Sequence, residues 1–210
     1  MKRGGYEAFR GTWGTKRTAE SYRDRRFTIS RRWRWTDRRE RFIVAQFLSG
    51  LPERALILDI PCGAGRLAGL CFEANMYYVG ADVSLSMLGL ARGAIPGPSL
   101  LCADAVRLPF RAGLFDAVTA VRLLHRIRER DVRVRMLEEM ARVTHGPLLV
   151  TYYLRWNIRG VQRWLRGRYP GLALRGILLD ARLAGLKVSR AIPLRRWTQQ
   201  EWFFVMDRAS

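Results

Sequence analysis

The chain has 210 residues, 49% of them hydrophobic, which suits one globular α/β unit whose core needs no staple. Its formal net charge is +20, and every basic residue except Lys2, Lys16 and Lys187 is arginine, so a polyanionic partner such as RNA or an anionic membrane surface is favoured. Cys62, Cys71 and Cys102 form neither a disulfide framework nor a metal-ligand spacing, no apolar run reaches the ~20 residues of a membrane span, and the N-terminus lacks the apolar stretch of a secretory signal, so a cytoplasmic protein, or one peripheral to a membrane or ribosome, without a metal is expected.

Residues 1–36 mix arginine with Tyr6, Phe9, Trp13, Tyr22, Phe27, Trp33 and Trp35 in no steady period, and read as a basic, aromatic extension or lid. The main domain is expected over 37–210. It opens on a helix capped at Thr36 or Asp37, with Phe42, Ile43, Phe47 and Leu48 on one face and Gly50 and Pro52 as stop signals. Strands and helices then alternate: a buried strand at 55–60, a helix at 65–74, a strand in "YYVGADVS", and a helix through "LSMLGLARGA" that Pro96 and Pro98 end. A short third strand lies in "SLLCADAVRLPF", a fourth in "FDAVTAVRLL", a helix at 129–143 and a fifth strand in "PLLVTYYL". Helical spacers between strands predict βαβ units in a mostly parallel, doubly wound, Rossmann-like sheet. The runs "KVSRAIPL" and "EWFFVMD" predict an antiparallel C-terminal hairpin completing a seven-stranded sheet.

In such a sheet, ligands bind beyond the carboxyl ends of the strands. Asp59 ends the first strand and leads into Pro61-Cys62-Gly63-Ala64-Gly65, Asp82 ends the second, and Asp104 follows the third. A Gly-rich turn entering a helix suits a dinucleotide, but a carboxylate at its entrance repels pyrophosphate. A nucleoside bearing a sulfonium and an ammonium is welcomed instead, which points to S-adenosyl-L-methionine. Asp82 is placed to accept from the ribose hydroxyls and Asp104 from an adenine amino group, between apolar walls from Leu101, Ala105 or Met87. Val83, beside Asp82, and Arg122, beyond the fourth strand, are further cofactor candidates. "LDIPCGAGR", "GADVS", "CADAVRLPF", "FDAVTAVRLLHRI" and "MLEEMARV", in this order, resemble the motifs of class I S-adenosylmethionine-dependent methyltransferases of the ubiquinone-biosynthesis-like type, over about half the chain. The resemblance implies that Asp59, Gly63 and Gly65 hold the methionine end, Asp82 the ribose, and Asp104 with Ala105 the adenine. Pro61 departs from the family's usual glycine and removes one N–H donor.

Methyl transfer from a sulfonium is an in-line displacement in which alignment is the protein's main contribution. His125 is the candidate general base for an acceptor that keeps its proton, and one of Tyr152 and Tyr153 is expected to face the acceptor, because side chains alternate along a strand. His145 reads as structural. The chain lacks the Asp/Asn-Pro-Pro-aromatic run of amino-group methyltransferases, a suitably placed nucleophilic cysteine, and the Lys-Asp-Lys-Glu set of one 2′-O group. A small-molecule or lipid-linked acceptor is therefore expected. The competing readings are an RNA methyltransferase or ribosome-associated RNA-binding factor, and a non-catalytic module of the same fold. "NIRGVQRWLRGRYP" predicts a basic amphipathic helix that could meet phosphates or an anionic membrane. In the extension, Tyr22 or Trp33 is placed to cover the sulfonium by cation–π contact.

Overall fold

The computed structural model describes Tyr6, Gly11 and residues 31–93, 99–155, 158–167, 169, 171–195 and 200–209; the side chains at 31–33 and 159 are outside the description. The elements run α1 (Arg31–Leu48), β1 (Leu56–Asp59), α2 (Ala68–Glu73), β2 (Tyr77–Asp82), α3 (Leu85–Arg92), β3 (Leu100–Cys102), β4 (Ala117–Ala120), a 3₁₀ turn (Leu124–Arg126), α4 (Arg130–Val143), β5 (Leu148–Tyr153), α5 (Ile158–Leu165), α6 (Leu174–Leu183), β6 (Leu186–Pro193) and β7 (Glu201–Arg208). They build one seven-stranded sheet in the order β3-β2-β1-β4-β5-β7-β6. Strands β1 to β5 pair in parallel, β7 returns antiparallel to β5, and β6 pairs antiparallel to β7.

The central strands are short apolar runs because helices cover both faces of the sheet. Alternate residues divide between two cores. Leu58, Val118, Leu148 and Val150 pack with Met136, Met140 and Ile177 of α4 and α6. Ile57, Ala117, Leu149 and Phe203 pack with Val44 and Leu48 of α1, Leu70 of α2 and Leu88 of α3. The strand order reverses at β1, between β2 and β4, so the loops after β1, β2 and β4 gather at one edge of the sheet.

Three expectations are revised. Helix α1 begins at Arg31, ahead of the expected cap at Thr36 or Asp37. Helix α2 begins at Ala68 rather than near Gly65, because Gly63 and Gly65 have φ of 56° and 75° and prolong the turn. Helix α6 is not expected from the sequence: all four of its leucines, Leu174, Leu178, Leu179 and Leu183, are partly exposed, so no single apolar stripe marks it.

Helix α6 is anchored instead by a buried charge. Asp180 is fully buried, accepts from Arg133 Nε at 2.7 Å and from Arg130 Nε at 3.2 Å, and Arg133 also donates to the carbonyls of Ile127 and Arg128. Removing one partner of a buried pair strands the other. Asp180→Ala is therefore expected to cost about 3–5 kcal/mol in urea unfolding, and adding Arg133→Met should recover part of that loss.

Candidate active site

A cavity opens at the carboxyl edge of the sheet, with about 880 Å³ of empty space when the open solvent at its entrance is included. The β1 loop supplies Asp59 through Ala64, the β2 end Asp82 and Val83, and α3 supplies Met87; Ala103 and Ala105 come from beyond β3, and Val121 to Leu123 from beyond β4. Arg66, Leu67, Arg126 and Tyr6 complete the wall.

The floor is acidic. Asp59 is 1% exposed, and its two oxygens accept from the hydroxyls of Tyr78 on β2 (3.0 Å) and Thr119 on β4 (2.9 Å). Burial pushes its carboxyl up to about 6, against the pull of those two hydrogen bonds and of Arg66. Asp82 is also buried and accepts from the backbone N–H groups of Gly63 and Ser84, each at 2.9 Å. This closes the Gly-rich turn against the end of β2. Burial raises its carboxyl despite these donors.

The sequence-derived candidates divide on this geometry. Asp59, Pro61, Cys62, Gly63, Asp82, Val83, Met87, Ala105 and Arg122 all line the cavity. Gly65 shapes the turn through its positive φ without forming the wall. Asp104 lies between the wall residues Ala103 and Ala105 without itself lining the cavity; its Oδ1 accepts from the Val106 N–H at 3.1 Å and from the hydroxyl of Tyr6. Leu101 lies on the exposed edge strand away from the cavity. The Cys62 thiol, buried beside Asp59 and Asp82, is held firmly protonated, and burial takes Cys71 up to about 12, so neither is a nucleophile.

Tyr152 requires correction as an acceptor contact. It is fully buried in the α4–α6 core, edge-on to Phe204 at 5.9 Å. Alternation along β5 turns Tyr153 the other way, where its ring stacks on His125 with centroids 3.8 Å apart. His125 is buried, and among the described residues its Nδ1 has no hydrogen-bond partner. Burial first, then Arg126, Arg122 and Arg163, hold its pKa well below the usual imidazole value, so it is neutral at physiological pH. Neither His125 nor Tyr153 forms the cavity wall, which Arg122 and Arg126 line instead. Tyr22 lies outside the described residues, as does the side chain of Trp33. Among the described residues of the extension, the aromatic that lines the cavity is Tyr6.

The mouth is basic. Arg122 has φ of 64°, a left-handed conformation that costs a non-glycine residue energy unless its surroundings fix it. Its N–H donates to Thr151 Oγ1 at 2.6 Å, and its Nε donates to Glu40 Oε1 at 3.1 Å. Glu40, on α1, has no exposed surface; its other oxygen pairs with Arg66 Nη2 at 2.8 Å, and Arg66 Nη1 reaches Asp37 at 3.0 Å. Glu201, opposite Tyr153 in the β5–β7 register, stands 3.9 Å from Arg122 Nε. Sequence reasoning passed over Arg66, Arg126, Glu40 and Glu201. Arg66 sits inside the quoted Gly-rich motif and Arg126 directly follows His125, but the two glutamates come from distant segments and carry no local signal.

A methyltransferase-domain family model matches residues 58–146. The chain is 34% identical over 112 residues to the tRNA (carboxymethyluridine(34)-5-O)-methyltransferase of Arabidopsis thaliana, an alignment covering 52% of this chain and 27% of that protein. The enzyme of the same name from Saccharomyces cerevisiae is 32% identical over 132 residues, covering 62% of this chain and 45% of the relative. The chain thus spans less than half the length of either. Among solved structures, the magnesium protoporphyrin IX methyltransferase of Synechocystis with bound SAH superposes with a TM-score of 0.64 at 18% identity, covering 82% of this chain and 84% of that one. The PH0226 protein of Pyrococcus horikoshii gives 0.69 at 17% identity, over 85% and 92%. At these identities the likeness speaks for the fold.

The carboxyl of Glu201 is pushed up to about 8, first by burial and then by Glu40, against the pull of Arg122 and Arg66. A raised carboxyl favours the folded state while protonated, so its contribution is complete below about pH 4.5 and is lost as the pH climbs to about 8. Urea unfolding across that window is expected to show falling stability in the native chain and a flatter profile for Glu201→Gln.

Proposed function

We propose that this chain, which carries a class I S-adenosylmethionine-dependent methyltransferase domain through its middle, methylates a carboxylate on a base of RNA. The observation that carries this reading is the meeting in one cavity of two buried carboxyls, Asp59 and Asp82, with three arginines, Arg66, Arg122 and Arg126. The small-molecule or lipid-linked acceptor expected from the sequence is less well supported, because the curated relatives are tRNA methyltransferases whose name specifies a carboxymethyluridine.

The residues fit the cofactor. Asp59 and Asp82 give the inner wall negative charge suited to a sulfonium and an ammonium, while Val83, Met87 and Ala105 supply apolar surface for a nucleoside. Asp82 keeps lone pairs for ribose hydroxyls beyond the two N–H groups it already accepts. Asp104 would exchange its Tyr6 partner for an adenine amino group. When bound, S-adenosylmethionine supplies a methyl group on a positively charged sulfur, already activated for in-line displacement.

The chain's own residues then orient the acceptor. A carboxylate is ionised at neutral pH and asks for no general base, which matches a buried, neutral His125 that does not line the cavity. Arg122 and Arg126 supply positive charge and N–H donors at the mouth, and arginine's planar fork matches a carboxylate in two-point contact. Glu40 positions Arg122. The arginines hold the acceptor oxygen and the acidic floor holds the donor. The opposed charges keep the two ligands in a fixed order, which is most of what an entropy trap requires.

Labelled methyl transfer to an RNA hairpin with 5-carboxymethyluridine in its loop, against the same hairpin with uridine, tests this directly. Label is expected only on the carboxylated RNA and should leave as methanol in mild alkali, as an ester must; alkali-stable label or none refutes the carboxylate acceptor. Asp82→Ala should abolish cofactor binding in calorimetry. The turnover number should stay flat from about pH 7 to 8, with no limb near the ordinary imidazole value. The KM for S-adenosylmethionine should rise below about pH 6 as Asp59 takes up its proton.

A further inference from the structure

From Met140 to Gln200 the chain carries a single acidic residue, Asp180, and that one is buried against Arg133 and Arg130. The exposed surface contributed by this stretch therefore has no negative charge, while Arg155, Arg166, Arg175 and Arg182 are exposed on it. Within it, α5 exposes an apolar face: Trp164 is 66% exposed and Leu165 71%, with Ile158 and Val161 beside them. A soluble chain does not leave a tryptophan and three aliphatic side chains on one short helix in water without use for them.

Helix α5 lies close enough to His125, the neighbour of the wall residue Arg126, for Arg163 to act on it. It follows β5, whose last residue Tyr153 carries the stacked His125. Arg163 is turned inward: its Nε donates to the Tyr169 carbonyl at 2.9 Å, and its charge acts on His125. The Arg128 guanidinium lies over the Tyr169 ring at 5.4 Å. Positive charge thus runs from Arg126 on the wall, through Arg128 and Arg163, to Arg166 at the end of α5, with Trp164 presented alongside. A membrane-surface helix needs its cations to flank the apolar face at the lipid plane. Here Arg163 is instead engaged by the Tyr169 carbonyl, near His125.

We infer that α5 is a docking platform for single-stranded RNA next to the methylated nucleotide, with a base stacked on Trp164 and phosphates tracked by the arginines between it and the mouth. This rests on the RNA reading above and adds the surface that binds it. An aromatic face takes any base, while arginines along the groove hold the backbone.

Fluorescence anisotropy with the labelled 5-carboxymethyluridine hairpin separates the outcomes. Trp164→Ala, an exposed position, should weaken hairpin binding roughly tenfold or more and leave S-adenosylmethionine affinity unchanged. Arg166→Ala should lower the slope of log affinity against log salt by about one contact. If the native chain methylates the hairpin and both variants bind it as tightly as the native chain, the platform is wrong and the RNA acceptor stands. If the native chain neither binds nor methylates the hairpin, the acceptor reading and the platform both fall. If Trp164→Ala instead abolishes sedimentation with phosphatidylglycerol vesicles and leaves hairpin binding intact, α5 is a membrane surface and the inference is overturned.

Discussion

A carboxylate buried at the end of the central strand is the constraint on which this architecture turns. Asp59 has almost no contact with water, and an unpaired buried charge would be intolerable there. It is kept by hydroxyls from both neighbouring strands, Tyr78 on β2 and Thr119 on β4, so the three strands must align in one register for the charge to exist. Gly80 belongs to the same device. A Cβ there would approach the Tyr78 ring and hydroxyl at 3.0 Å and Leu100 at 2.8 Å, so the bare backbone lets the tyrosine lie along its own strand and reach Asp59. The sheet thereby fixes a negative charge under a loop shaped by Gly63 and Gly65, and Asp82 closes that loop from the next strand.

The remaining electrostatics answer that charge. Cavities lined by one sign of charge attract one kind of ligand, and this one is divided. Its inner wall suits a cation and its mouth an anion. Buried carboxyls on the inner side stay ionisable because donors reach them from the backbone and from hydroxyls. Glu40 holds Arg122 and Arg66, and Arg66 also acts on Asp59, so the acidic and basic sides of the cavity meet at Arg66. A reaction that passes a methyl group from a sulfonium to a carboxylate needs both sides, since each ligand is repelled from the other's place.

Much of this was legible in the chain. The strand ending in Asp59, the Gly-rich turn, Asp82 and the terminal hairpin are local patterns, because an apolar run, a turn and an acid at its end are all close in sequence. What local pattern cannot supply is facing. Tyr152 and Tyr153 are equivalent as letters, and only the pairing of β5 with β7 sends one into the core and the other beside Glu201. Helix α6 escaped notice because its anchor is one aspartate reaching Arg133 across the fold, with many of its leucines left partly in water. Tyr6 reaches Asp104 over a separation no periodicity reports, and the uneven aromatics of the extension hid which of them would do so.

The cluster of Glu40, Glu201, Arg66 and Arg122 explains why elements at the two ends of the chain matter to a site built by its middle. Helix α1 brings Glu40, the start of β7 brings Glu201, and both converge on an arginine held in a left-handed conformation after β4. That backbone conformation does not sustain itself. It persists because a buried carboxylate pulls on the side chain while Thr151 accepts from the N–H. A fragment limited to the matched segment would keep Asp59 and Asp82 but lose Glu40 and Glu201. The donor side of the cavity could then survive while the acceptor side lost its order. The division of the cavity into two charges is therefore also a division of the chain: the inner βα units make a place for the methyl donor, and the flanking elements decide what receives it.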